Sequence, residues 1–344
     1  MLYLPDDPVR LSDDGTAILA LDQRRLPRST EILTLRTAAE AADAIKTLAV
    51  RGAPCIGICA AYAVCIAAKQ HEAEPEAAFR QHLQEDAAVI SSARPTAVNL
   101  SWAVSRMMHS AAAHTDKTPP EIAAVLRKEA EQIHREDIEI CRKIAENGLT
   151  LLHDGAAVIT HCNAGALATS RLGTGLGPLL LGASRGMTFH AFVDETRPLL
   201  QGARLTAYEL HKAGIDTALM CDNMAAYRMA QGGIDACMTG CDRVAANGDA
   251  ANKIGTLGLA VLAKHFGVPF YVFCPSPTID RNCRTGADIR IEQRDGSEIT
   301  SLYFKEPVAP EGIRCINPAF DVTPAELISA IITENGIYRP PYRF

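Results

Sequence analysis

The spacing of apolar residues changes near Leu151 and divides the chain into two parts. Before that point, apolar residues recur at the spacing of one helix face, as at Phe79, Leu83 and Ile90. After it, short apolar runs alternate with segments of helix length. The first pattern predicts a group of packed helices, and the second predicts strand–helix–strand units that form a parallel sheet.

Local signals mark both ends of the helical part. Two apolar runs, 17–21 and 31–35, are separated by a turn that contains Pro27, and they predict a pair of short strands. Further on, Thr118-Pro119-Pro120-Glu121 has the pattern of a capping box with proline in the first helical turn. This predicts a long helix that ends near Gly148. The sequence therefore predicts an α/β protein whose first part is mainly helical with a small sheet.

Polar residues follow each of five apolar runs in the second part of the chain. The runs are Ala156–Ile159, Met187–Val193, Thr217–Cys221, Ala236–Thr239 and Pro269–Cys274. The segments that follow them include His161-Cys162-Asn163, Asp194-Glu195-Thr196-Arg197, Asp222-Asn223, Asp242-Arg243 and Ser276. Open parallel sheets bind ligands outside the carboxyl ends of their strands, so these segments predict one site. The alternative is that each is an ordinary polar cap.

Cys162 is the candidate nucleophile or base of this site. It follows a predicted strand and precedes Asn163-Ala164-Gly165-Ala166, which has the pattern of a helix start. A thiolate is stabilised near a helix N-terminus by the helix dipole and by free N–H groups. The alternative is a small buried residue at a tight turn.

Asp242 is the candidate proton donor. Its neighbours Cys241 and Val244 are apolar, and burial would disfavour its charged form. A charged Arg243 that points inward would have the opposite effect. The alternative is an aspartate that caps a following helix.

Three basic segments could bind an anion. Arg51 and Gly52 precede Ala53-Pro54, where proline suits the first turn of a helix whose free N–H groups face the loop. Arg94 lies in the loop Arg94-Pro95-Thr96 and can grip phosphate through its planar guanidinium. Asn252 and Lys253 precede Ile254-Gly255-Thr256, and another helix is predicted to begin in this segment.

Charge and composition narrow the classes of partner. The chain has 344 residues, a net charge of −6 and no block of like charge, which argues against binding to nucleic acid. The first residues lack a basic segment followed by an apolar stretch, and the apolar runs are short and interrupted. We therefore expect a cytoplasmic protein with no membrane-spanning helix and no membrane partner.

The spacing of the cysteines and glycines limits the kinds of cofactor that can be expected. The eleven cysteines show no paired CxxC spacing, so neither a zinc site nor a disulfide framework is indicated, and reduced thiols are expected. The Walker A order is absent, and Gly173-Thr174-Gly175-Leu176-Gly177 lacks the GxGxxG spacing. We expect no metal and no nucleotide cofactor.

A series of motifs resembles the methylthioribose-1-phosphate isomerase family, which is related to the regulatory subunits of the eukaryotic translation-initiation guanine nucleotide exchange factor. The resemblance runs in order from about Asp22 to the C-terminus. The motifs are Arg51-Gly52-Ala53-Pro54, 94–100, 160–169, 194–198 with 201–204, Gly240 with Asp242-Arg243, 245–249, 252–256 and 317–324. Several long motifs in series are far more specific than any one of them.

The resemblance implies a fold and an activity. It implies a mainly helical N-terminal domain with a small antiparallel sheet, residues 1–128, and a Rossmann-like α/β catalytic domain, residues 129–344. It implies a homodimer and a role in methionine salvage. It further implies that Cys162 and Asp242 are catalytic. The implied substrate contacts are Arg51, Gly52, Ala53, Arg94, Gln201, Asn252 and Lys253.

The sequence leaves alternatives for the substrate and for the functional class of the protein. The expected reaction converts 5-methylthioribose 1-phosphate to its ribulose isomer, but 5-deoxyribose 1-phosphate presents the same ring and phosphate. Ribose 1,5-bisphosphate would need a second anion site. A non-catalytic protein that binds a sugar phosphate or nucleotide is the alternative from another class. Cys55, Tyr208 and Cys241 depart from the common family residues, which affects packing rather than chemistry.

Overall fold

The computed structural model describes residues 7–94 and 97–344, so Pro95 and Thr96 of the predicted anion loop lie outside the described residues. Two compact units divide the chain. The helical unit comprises the described residues up to 139 together with 166–171, and the α/β unit comprises 140–165 and 172–344. The domain boundary predicted at residues 128 and 129 lies inside the helix Pro119–Leu149, and it stays a prediction.

The helical unit begins with a small antiparallel sheet and continues with helices. The strands are β1 (Val9–Leu11), β2 (Ile18–Leu21) and β3 (Ile32–Leu35), in the order β1-β2-β3. The helices are α1 (Ala38–Lys46), α2 (Ala53–His71), α3 (Glu76–Ser92), α4 (Val98–Ala112) and α5 (Pro119–Leu149), and the last of these continues into the α/β unit. The two predicted strands, the mainly helical character and the long helix are confirmed.

Side chains at the helix starts explain where the helices begin. Thr37 caps α1, because its hydroxyl accepts a hydrogen bond from the Glu40 N–H at 3.1 Å. At the start of α5, the Glu121 carboxylate accepts from the N–H of Thr118 at 2.8 Å. That contact is the reciprocal half of the predicted capping box.

Helix α2 is the centre of the helical unit. Every residue from Cys55 to Ala68 is buried, so the helix is surrounded by protein on all faces. The sequence-based expectation of only short apolar runs was therefore wrong for this segment. By length and composition α2 could cross a membrane, but 78% of its apolar stretch is buried inside the protein, as in a core helix.

Two histidines join the end of α2 to α3 through carboxylates. His71 Nδ1 lies 2.8 Å from Glu74 Oε1, and His71 Nε2 lies 3.1 Å from Asp86 Oδ2. Glu74 also bonds His82 Nδ1, at 2.6 Å. Partial burial lowers the pKa of His71, but the hydrogen bonds to Glu74 and Asp86 outweigh this, so its pKa is raised above the usual value.

The raised pKa makes His71 a pH-dependent source of stability. Its contribution is fully present below the unfolded pKa of about 6.5 and is lost as the pH rises through the higher folded pKa. We expect wild type to be more stable than His71→Gln by about 0.5–1 kcal/mol near pH 6, with the difference shrinking at higher pH. Urea unfolding across this range measures it, with the exposed His109→Gln as control. A difference that stays constant with pH would contradict this account.

A seven-stranded sheet forms the core of the α/β unit. Its order is β14-β13-β10-β7-β4-β5-β6, and all neighbours are parallel except β14, which is antiparallel to β13. The strands are β4 (Ala156–His161), β5 (Phe189–Asp194), β6 (Asp216–Met220), β7 (Ala236–Thr239), β10 (Phe270–Phe273), β13 (Ala330–Thr333) and β14 (Gly336–Tyr338). The five predicted strands are present and the Rossmann-like fold class is confirmed.

The α/β unit contains further helices and a second sheet. The helices are α6 (Gly177–Ser184), α7 (Ala207–Lys212), α8 (Ala225–Ala230), α9 (Thr256–Phe266) and α10 (Ser297–Thr300). The second sheet has the order β11-β8-β9-β12, with β8 (Arg243–Ala245), β9 (Ala250–Lys253), β11 (Ile279–Asp280) and β12 (Phe320–Thr323). The sequence did not predict this sheet, because its strands are only two to four residues long.

Candidate active site

The order of strands defines where a ligand binds in the α/β unit. From the central strand β4 the chain proceeds to β5 and β6 on one side, and then returns to β7, β10 and β13 on the other. The topological switch point therefore lies between β4 and β7, and such points hold the ligand crevice of open α/β sheets. Because His161 pairs in register with Thr239, the segments after both strands emerge side by side at this edge. Cys162 and Asp242 belong to these two segments.

The sequence predicted a helix start directly after Cys162, and no α-helix starts there. The only regular element that follows it closely is a single 3₁₀ turn, Ala166–Ala168, which belongs to the helical unit, and α6 starts only at Gly177. The predicted stabilisation of the thiolate by a helix dipole is therefore wrong. Instead, the half-buried Cys162 has a left-handed backbone, with φ of 64°.

Asp242 lies at the start of a β-hairpin, so the alternative of a helix cap is excluded. Its N–H donates to the Ala251 carbonyl at 2.9 Å, which closes the hairpin of β8 and β9. The neighbouring Cys241 thiol donates to the Arg243 and Ala251 carbonyls at 3.0 and 3.3 Å. Within the chain the Asp242 side chain is exposed, so the predicted apolar burial is not found.

A buried histidine–aspartate pair supports the end of β4, and sequence reasoning gave it no role. His161 Nδ1 lies 3.0 Å from Asp194 Oδ2, and His161 Nε2 donates to the Ile254 carbonyl at 2.9 Å. Burial lowers the pKa of His161, but its hydrogen bond to Asp194 and the charge there raise it more. The pair thus ties β4 to β5 and to the chain that follows β9. The signal that could have identified this pair in the sequence is that polar residues end two predicted strands.

The α/β unit also contains three of the predicted substrate contacts, Gln201, Asn252 and Lys253. Gln201 is 6% exposed, and its Oε1 has no hydrogen-bond partner among the described residues. The Asn252 amide donates to the Thr256 hydroxyl at 3.0 Å, and the Lys253 ammonium donates to the Ala319 carbonyl at 2.8 Å. Lys253 also lies 4.4 Å from the ring of Phe320. Asn252 and Lys253 are in strand β9 rather than at the helix start that was predicted.

The other predicted contacts lie in the helical unit. Arg51 and Arg94 are half-buried, and α2 begins at Ala53 with proline in its first turn, as predicted. Gly52 has φ of 92°, and a Cβ there would meet the Ala168 backbone at 2.4 Å, so only glycine fits. The buried Gln23 amide donates to the Leu167 carbonyl at 2.7 Å, so it contacts the same 3₁₀ turn, Ala166–Ala168, that Gly52 approaches.

One group near the switch point has donor atoms that suit a metal. His161, Asp194 and Asp222 bring three ligand atoms within 4.8 Å of one another. However, both Asp222 oxygens accept backbone N–H groups, from Thr196 and Arg197, each at 2.7 Å, and both His161 nitrogens are hydrogen-bonded. The His161 nitrogens and the Asp222 oxygens are therefore already engaged by the protein, whereas the buried Asp194 Oδ1 has no hydrogen-bond partner among the described residues. The expectation of no metal stays a prediction.

The fold defines a Rossmann-like α/β protein, and a thiol and a carboxyl group lie on the two segments that flank its topological switch point. A profile of the initiation factor 2 subunit family matches residues 49–340, and the chain belongs to this family.

Relatives with assigned activities are similar over almost the whole chain. A methylthioribose-1-phosphate isomerase from Symbiobacterium thermophilum is 54% identical over 98% of this chain and 94% of its own. A 5-deoxyribose 1-phosphate isomerase from Clostridium botulinum is 50% identical over 97% and 96%.

Two solved structures share the fold. The 5-methylthioribose 1-phosphate isomerase of Pyrococcus horikoshii OT3 superimposes with a TM-score of 0.93 at 38% identity, covering 98% of this chain and 94% of its own. A chain described as translation initiation factor eIF-2B, subunit delta, from A. fulgidus gives 0.90 at 39% identity, covering 98% and 97%. The fold is thus common to proteins with different names, so function has to be argued from the site.

Proposed function

We propose that this protein is an aldose–ketose isomerase that converts 5-methylthioribose 1-phosphate to 5-methylthioribulose 1-phosphate. The observation that carries the proposal is the thiol of Cys162 and the carboxyl group of Asp242 on the two segments that flank the topological switch point. An isomerase of this kind needs one group to protonate the ring oxygen and one to move a proton between neighbouring carbons. The identity to relatives named as such isomerases supports the same conclusion.

The substrate carries its phosphate on the anomeric oxygen, so it cannot open to a free aldehyde. In the proposed mechanism Asp242 delivers a proton to the ring oxygen as the bond between this oxygen and C1 breaks, while the phosphate stays attached. Cys162, as thiolate, then removes the C2 proton and returns it to C1 through a cis-phosphoenolate. The Asp242 carboxylate takes the proton of the C2 hydroxyl as this group becomes the ketone, so both residues return to their starting states. Proton transfer by a positioned side chain contributes about 10²–10⁴-fold to the rate.

Cationic and polar groups are proposed to hold the substrate. Arg51, Arg94 and Lys253 would bind the phosphate and offset its charge. The buried Gln201 Oε1, which has no partner among the described residues, is available to accept a hydrogen bond from a sugar hydroxyl. An apolar pocket around the methylthio group would exclude water.

Relative turnover of three sugar phosphates tests the substrate. We expect the highest kcat/KM with 5-methylthioribose 1-phosphate, and turnover of 5-deoxyribose 1-phosphate at a lower or similar value, because both offer the same ring and phosphate. Ribose 1,5-bisphosphate should be the poorest, since its second phosphate requires another anion site. No turnover of any of the three would refute the isomerase proposal and favour a non-catalytic protein that binds a sugar phosphate or nucleotide.

Hydride transfer from C2 to C1 is the rival route. With the reaction run in D2O, the proton-transfer route incorporates solvent deuterium at C1 of the ketose. The measurement is therefore the deuterium content at C1 of the ketose formed in D2O. A product that contains no deuterium at C1 counts against the thiolate as base and favours the hydride route.

The cellular setting is part of the proposal. The eleven cysteines all lie in the part of the chain that the structure describes, and none of them forms a disulfide, which suits a reducing cytoplasm. The reaction would serve methionine salvage. A homodimer is proposed from the family resemblance. Sedimentation of the purified protein checks it.

A further inference from the structure

The conformation of Cys162 requires an explanation. Residues with a side chain seldom adopt a positive φ, yet Cys162 has 64° and Thr196, after strand β5, has 65°. Such conformations persist only where surrounding contacts hold them, and they cluster at functional sites. The described residues around Cys162 provide those contacts from two separate segments.

The first segment holds the N–H of Cys162. This N–H donates to the Thr196 hydroxyl at 2.9 Å, and the same hydroxyl donates to the Asp194 carbonyl at 3.1 Å. Thr196 is itself fixed, because its N–H donates to Asp222 at 2.7 Å. Its side chain is fully buried. The hydroxyl therefore has one donor and one acceptor at fixed positions.

The second segment holds the carbonyl of Cys162. The Thr206 hydroxyl donates to this carbonyl at 2.6 Å and accepts from the Asn163 amide at 3.1 Å. Asn163 in turn donates to the buried Glu209 carboxylate at 2.6 Å. Thr206 ends a π-helical turn, Gly202–Thr206, and such turns are frequent at functional sites.

We propose that Thr196 and Thr206 are positioning residues that together fix the direction of the Cys162 thiol, a role that rests on the proposed isomerase function. They hold both polar backbone groups of Cys162 and so fix its φ and ψ, which set the direction of the Cα–Cβ bond. A base has to lie within hydrogen-bond reach of the proton that it removes, here first at C2 and then at C1. Valine has nearly the shape of threonine but no hydroxyl, so it would release one backbone group of Cys162.

The alternative explanation is that the two hydroxyls only satisfy buried backbone groups. Four variants separate the two explanations: Thr196→Val, Thr206→Val, Thr196→Ser and Thr206→Ser. The matched control is Thr323→Val in β12, because Thr323 is also fully buried and its hydroxyl has no partner among the described residues. Should a valine variant not fold, alanine at the same position replaces it.

Two measurements test the proposal. The first is steady-state kinetics with 5-methylthioribose 1-phosphate, where we expect each valine variant to lose roughly 10–100-fold in kcat with KM changed less than about 3-fold. The serine variants, which keep the hydroxyl, should stay within about 3-fold of wild type, as should Thr323→Val. The second is hydrogen exchange of the Cys162 amide, expected to be about 10-fold faster in Thr196→Val.

The outcomes are distinct. Reduced kcat with retained KM, faster exchange and rescue by serine support the proposal. Unchanged exchange, or faster exchange with normal kcat, overturns it, as does an equal loss of kcat in Thr323→Val. If the wild-type protein turns over no sugar phosphate, the proposed function fails, and exchange at Cys162 still decides whether the two hydroxyls hold this residue.

Discussion

Replacing Cys162 by serine is expected to lower kcat by about 10²–10⁴-fold while the protein stays folded. A serine hydroxyl is far less acidic than a thiol, so it cannot act as the base that removes the C2 proton. The change is small in volume, and the half-buried position tolerates it. Steady-state kinetics and thermal unfolding of the same preparation provide the measurement.

The control for this variant is Cys221→Ser. Cys221 also follows a strand of the sheet, β6, but its side chain is exposed and lies two strands from β4. It should retain turnover near that of wild type. Near-normal kcat in Cys162→Ser would remove this residue from the mechanism, and a large loss in both variants would point to an unspecific effect of removing a thiol.

Replacing Asp242 by asparagine is expected to lower kcat by about 10²–10⁴-fold with little change in stability. Asparagine keeps the shape but cannot deliver a proton to the ring oxygen. Because the side chain is exposed within the chain, the free energy of unfolding should change by no more than about 0.5 kcal/mol. The pH profile adds a second measurement, since an acid must be protonated to act, and the variant should lose the decline of kcat at high pH.

The control for Asp242→Asn is the same substitution at Asp216. Asp216 begins β6 at the amino end of the sheet, opposite to the switch point, and its side chain is 76% exposed. This variant should match wild type in kcat. If Asp242→Asn kept both normal turnover and the complete pH profile, the proton donor would have to be another residue.

The helices and main strands followed from local patterns. Buried parallel strands appear as short apolar runs, so Ala156–Ile159 and its four successors could be located from the sequence. The caps at Thr37 and Thr118 depend on residues within one helical turn, which again is local information. Gly52 was predicted only as part of a segment that could bind an anion, and the close approach of the Ala168 backbone, which explains the glycine, is visible only in the structure.

The wrong predictions concern segments that are too short to show a recurring arrangement of apolar residues. Strands β8 and β9 contain three and four residues, so the sequence predicted a helix start at Lys253 and left a helix cap as the alternative for Asp242, where the structure has a hairpin. The sequence also predicted that a helix dipole stabilises the Cys162 thiolate, because glycine and alanine after a strand resemble a helix start. The pair His161 and Asp194 lies 33 residues apart in sequence, and no local pattern connects them.

The sequence by itself determined that the protein is α/β, that polar groups follow five strands, and, through the resemblance, which residues to test. Periodicity and motif content are properties of neighbouring residues, which is why they can be obtained without the fold. Only the tertiary structure decided that β4 and β7 are adjacent. This adjacency depends on pairing between strands far apart in the chain, and it brings the two segments that carry Cys162 and Asp242 to the same edge of the sheet. The left-handed backbone of Cys162 was decided in the same way, by hydroxyls from Thr196 and Thr206.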